Sequence, residues 1–97
     1  MAVRRLVLDL LVPHEPSVVV YAERLSELNG VEGVTVDVIE ADAQTKTLEV
    51  TMEGTALVFE DVAEVIKSLG GALHSVDEVS AGNRIVVTKG ASRREGR

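Results

Sequence analysis

SELNGVEGVTV, residues 26–36, and IKSLGGALHSV, residues 66–76, run through the same order: the end of an amphipathic helix, a glycine, then a strand. Upstream of the first, Val18, Ala22, Leu25 and Leu28 recur at three- and four-residue spacing, while Glu23, Arg24, Ser26 and Glu27 turn away. That is the stripe of a helix with one buried face, and Gly30 provides the left-handed residue that ends it. The β-branched run Val18–Val20 weakens helix propensity, so the assignment rests on stripe and caps. In the second copy Phe59, Val62, Ala63, Ile66 and Leu69 form the stripe. Glu60 and Asp61 near its start and Lys67 near its end complement the helix dipole, and Gly70 and Gly71 terminate it.

Strands fill the space around these repeats. Residues 34–40, VTVDVIE, alternate with Val34, Val36 and Val38 inward and Thr35, Asp37 and Ile39 outward. After a polar turn, ADAQTK, residues 47–53 place Leu48, Val50 and Met52 inward against Thr47, Glu49, Thr51 and Glu53. The opening run Val3–Val12 puts Leu6, Leu8, Leu10 and Val12 on one face and Arg5, Val7, Asp9 and Leu11 on the other. A last strand starts near Ala72 and runs through HSVDEV, with the face of His74 left open. AGN at 81–83 then predicts a hairpin into a short fifth strand, RIVV at 84–87. The order βαββαβ is the split βαβ, or ferredoxin-like, plan of the α+β class. Right-handed crossovers place both helices on one face of an antiparallel sheet, leaving the other face bare.

Ninety-seven residues make a single domain, expected to span residues 1–88, followed by a flexible basic tail at 89–97. The start, MAVRRLVLDLLV, imitates a leader peptide, but Asp9 interrupts its apolar run and no small-residue cleavage site follows. It reads as a strand. The hydrophobic share of 45% with 27% charged residues is globular, and no apolar stretch is long enough to span a bilayer. Absence of cysteine removes disulfides, thiolate metal sites and thiol nucleophiles, and suits a cytoplasmic setting.

Between the first strand and the first helix lies VPHEP, residues 12–16. It reads as a stiff connector in which Pro13 ends the strand, Pro16 opens the helix and Glu15 sits against the helix dipole. His14 is then a loop or capping residue.

Charge and composition narrow the function. Residues 1–88 carry six bases against fifteen acids, a net charge of −9, whereas the tail is basic. An acidic body repels phosphate, which excludes nucleic acid as a partner. The outward positions on the first and third strands hold no aromatic platform for bases, and the chain has only Tyr21 and Phe59. A phosphate cradle at the first helix is opposed by Glu15. His14 and His74 have no nucleophile partner and no GxSxG is present, so a noncatalytic protein is expected. Hard-metal binding survives: Asp37, Glu40 and Asp42 gather near the end of the second strand, Asp77 and Glu78 adjoin in the fourth, and Asp9 and Glu49 share the open face. Calcium or magnesium takes several such oxygens at once, although each carboxylate also reads as an ordinary solvated charge. Val7, Leu11 and Ile39 beside them point to self-association through the open face, and RIVV offers an edge strand to another subunit.

RRLVLDLLVPHEPS, LSELNGVEGV and GGALHSVDEVSAGNRIV together resemble the archaeal domain-of-unknown-function family 211 over residues 2–87. The resemblance implies a ferredoxin-like domain without an assigned activity, assembled as a homo-oligomer, with divalent-cation sites made of carboxylates. Asp9, Asp37, Asp77 and Glu78 are the leading metal-ligand candidates. The alternative is a sensor or regulatory domain that binds a small metabolite at subunit interfaces. No membrane partner is expected.

Overall fold

The computed structural model describes residues 1–88; the tail expected at 89–97 lies outside them. Six elements follow in order: β1 (Val3–Pro13), α1 (Val18–Ser26), β2 (Val31–Ala41), β3 (Thr45–Leu57), α2 (Phe59–Ser68) and β4 (Ala72–Ala81). The strands form one antiparallel sheet in the order β2-β3-β1-β4. This is the ferredoxin-like α+β arrangement.

The even-numbered residues of β1 and β3 build the core. Leu6, Leu8, Leu10 and Val12 from β1 and Leu48, Val50 and Met52 from β3 cluster with Tyr21 and Leu25 of α1 and Val62 and Ile66 of α2. Both helices therefore cover the same face, as the alternation predicts. Each fully buried leucine contributes about 2 kcal/mol by leaving water. Tyr21 was absent from the stripe read in the sequence, yet it is completely buried. Its hydroxyl donates to the Leu69 carbonyl at 3.1 Å, tying α1 to the end of α2, and burial pushes its pKa up.

Glycine solves one close approach that no local pattern shows. Gly30, expected to end α1, stands three residues past its C-cap, Glu27; at φ 86° it turns the chain into β2, and its carbonyl accepts the Thr55 N–H at 3.0 Å. A Cβ on Gly54 would stand 1.9 Å from that carbonyl oxygen, and one on Gly30 would stand 2.1 Å from the Ala56 oxygen. Backbone meets backbone here, so neither side can yield without moving a strand.

Four expectations need correction. Pro16 does not open α1: Ser17 is the N-cap, the helix starts at Val18, and its first turn holds no acid. Glu15 lies two residues before that N-cap and outside the first turn. Val7, expected bare, is fully buried. Ile39 is the extra residue of a bulge, since Val38 pairs with Leu48 and Glu40 with Thr47. Glu40 thus takes the open-face position that simple alternation gave to Ile39. Finally, residues 84–87 form no strand. Gly82 N–H donates to the Ala2 carbonyl and the Arg4 guanidinium to the Asn83 carbonyl, pinning the turn to the start of β1.

Candidate functional site: the open face of the sheet

Cross-strand partners share a face and stand about 5 Å apart, so the register lays out the uncovered side of the sheet in rows. One row reads Asp37, Glu49, Asp9, Ser75 from β2 to β4. The next reads Thr35, Thr51, Val7, Glu78, and a third Gly33, Glu53, Arg5, Ser80. Beyond the acidic row lie Glu40, Thr47, Leu11 and Ala72. Three carboxylates stand on adjacent strands in the first row because the register sets Glu49 opposite both Asp37 and Asp9.

The third row is held by a clasp. Arg5 Nε donates to Glu78 at 2.7 Å, and its Nη1 donates to Glu53. Glu78 is directly opposite Val7, two residues along from Arg5, so this bond crosses beside Val7, which is fully buried on the face away from α1 and α2. Partial burial works against the charge on Arg5, but hydrogen bonds to Glu53 and Glu78, reinforced by their negative charge, outweigh it and raise its pKa.

The four candidate ligands divide accordingly. Asp9 and Asp37 share the acidic row and flank Glu49. Glu78 is paired with Arg5, which it shares with Glu53. Asp77 is the extra residue of a β4 bulge, since Val7 pairs with Glu78 and Leu8 with Val76; it accepts the Ser75 hydroxyl at 2.7 Å. Asp77 and Glu78, adjacent in sequence, thus do different things. Among the described residues no three His, Cys, Asp or Glu side chains gather where they could hold a metal ion.

Of the other acidic candidates, Asp42 has a structural role. Asp42 Oδ1 accepts the Gln44 and Thr45 N–H groups at 2.9 and 2.8 Å, closing the β2–β3 turn. These backbone bonds, from Thr45 first, hold its pKa below the usual carboxylate range. His14 Nε2 donates to the Asp42 carbonyl at 2.7 Å, so VPHEP fastens the β1–α1 loop to that turn. His74, the extra residue of a second β4 bulge, is exposed. With Asp9, Leu11 and Thr47 it borders a depression of about 190 Å³. A larger hollow of about 390 Å³ is lined by Arg5, Gly33, Val34, Thr35, Thr51 and Glu53.

Sequence reasoning missed Arg5, Glu53 and Ser75 as organising residues. Arg5 had a visible signal: of the positions assigned to the open face in the first and third strands, it is the only base. No helix among the described residues is long and apolar enough to cross a membrane.

An archaeal protein of Methanocaldococcus jannaschii, described as uncharacterized protein MJ0319, is 46% identical over 84 residues, covering 87% of each chain. The DUF211 family, described as uncharacterized ArCR, matches residues 4–95. With the match reaching all four strands and both helices, this chain belongs to the archaeal DUF211 family.

Proposed function

We propose that the protein is a noncatalytic, cytoplasmic homo-oligomer that binds calcium or magnesium through carboxylates of its open sheet face at contacts between subunits. The observation that carries this reading is the row Asp37, Glu49, Asp9 on a face without helices. Like charges placed directly opposite repel, and a cation shared between acidic surfaces offsets that repulsion. Calcium takes six to eight oxygens around one point, and the row spreads its three carboxylates over two strand spacings, about 10 Å, so in this scheme a second copy completes the shell. Asp9 and Asp37 are the first ligands in this scheme, with Asp77 at its margin and Glu78 held by Arg5. A nucleic acid is not the partner of such a surface.

Light scattering after size-exclusion chromatography tests it, first with calcium, then with chelator. The expected result is a larger mass with the ion, lost in D9N/D37N. Equal masses in both conditions would remove metal-linked assembly.

A second reading, a metabolite sensor, draws support from the hollow beside Arg5, whose volume falls within the range of small-ligand sites. A panel of amino acids and related metabolites checks it: a ligand should raise the melting temperature of the wild-type chain, and R5M should abolish that rise.

A further inference from the structure

The third row of the open face has a gap at its β2 end. Gly33 stands opposite Glu53, which stands opposite Arg5, so the row carries no side chain there. A Cβ on Gly33 would meet nothing within 4 Å. Gly33, Glu53 and Arg5 line the hollow of about 390 Å³ described above. The neighbouring row adds Thr35 and Thr51, directly opposite each other, each with a hydroxyl that can donate or accept a hydrogen bond.

Charge decides what such a hollow takes. Arg5 is the only base in the acidic row, the threonine row and its own row, and its Nε and Nη1 already donate to Glu78 and Glu53. One cation between two carboxylates leaves the clasp with net negative charge. Of the two acids Glu53 is the accessible one, its side chain 49% exposed against 20% for Glu78. Arg5 holds it by Oε2, which fixes the carboxylate at the wall of the hollow. Beyond the threonines comes the row Asp37, Glu49, Asp9. A carboxylate or phosphate group would enter against this field and find Arg5 engaged. An ammonium group is drawn in and gains a charge-assisted hydrogen bond by donating to Glu53.

We propose that this hollow takes a small organic cation, a primary amine whose ammonium group donates to Glu53 while a hydroxyl or second amine on its chain bonds Thr35 and Thr51. Arg5 acts on the ligand through Glu53, as a positioning residue. Gly33 provides the room. This rests on the metabolite-sensor reading above and names the ligand class of that site.

Titration calorimetry on the full-length chain tests it, with chelator present so that no divalent ion takes part. The probes are amines (ethanolamine, 1,4-diaminobutane), neutral polyols (glycerol, erythritol) and acids (glycolate, malate). The amines should bind, and the polyols and acids should not. E53Q keeps the shape of the wall without its charge and should weaken amine binding roughly tenfold. G33L fills the hollow from a position with room for a side chain and should abolish binding, with the circular dichroism of the wild type; if G33L does not fold, E53Q decides alone. Binding of a polyol or an acid without any amine overturns the ligand class and leaves the sensor reading standing. Silence from all the probes overturns both. Amine binding that E53Q retains at full strength belongs to the acidic surface at large and overturns the site.

Discussion

The two faces of the sheet obey opposite rules. On the helix-covered face Leu8, Leu10, Leu48 and Val50 are fully buried, and stability follows apolar area. On the open face a fully buried valine stands beside an ion-pair clasp, and the neighbouring row sets carboxylate beside carboxylate. One strand therefore carries an apolar pattern at even positions and a mixed, partly charged one at odd positions.

The largest test of this contrast is L10A. It removes a side chain with no exposed area and should cost about 3 kcal/mol, through lost transfer free energy and an unfilled cavity. Urea unfolding would show it as a lower midpoint; a cost below about 1 kcal/mol would mean that the helix layer packs loosely. R5M comes next. It leaves Glu53 and Glu78 without their shared donor and should cost about 2 kcal/mol, partly recovered in R5M/E78M because two apolar groups then cover Val7 together. Failure of the double variant to recover any stability would show that the clasp acts by packing rather than by charge.

D9N should have the opposite sign. Asp9 stands across from Glu49, so removing its charge is expected to raise stability by about 0.5 kcal/mol without divalent ions. Added calcium should stabilise the wild type more than D9N. Loss of stability in ion-free buffer would place Asp9 among the structural residues and close off the open face as a cation surface.

The smallest effect concerns the β2–β3 turn, where the two faces meet at one end of the sheet. Asp42 has a folded-state pKa below its ordinary value of 3.8, so its contribution is complete above the unfolded pKa and disappears as pH falls through the folded one. Hydrogen exchange of the Gln44 and Thr45 amides should quicken over that acidic window. In D42A they should exchange fast at every pH, while the exchange of core amides stays unchanged. Equal protection in both chains would mean that the turn holds without its carboxylate.

Local pattern was enough for the element order and for most of the helix-covered core. Side-chain period is a property of the chain itself, two in Leu6–Val12 and close to four in Val62–Ile66, and burying both stripes leaves few arrangements. Gly70 was legible for the same reason, since it follows the α2 C-cap, Leu69, with a left-handed backbone that selects glycine; Gly30 shares that backbone but not that place, standing three residues past the α1 C-cap, Glu27. The shared face of Asp9 and Glu49 also followed from alternation alone.

What only the tertiary structure decided is whatever depends on register and on segments far apart in the chain. An extra residue at Ile39, His74 or Asp77 shifts every later side chain by one place, and a bulge costs too little locally to leave a mark in the residue pattern. Arg5 reaches Glu53 and Glu78 across 48 and 73 residues, and Gly54 is needed only because the Gly30 carbonyl lies against it. Amphipathic stripes create the layers; long-range contacts choose which carboxylates stand together and which are already satisfied.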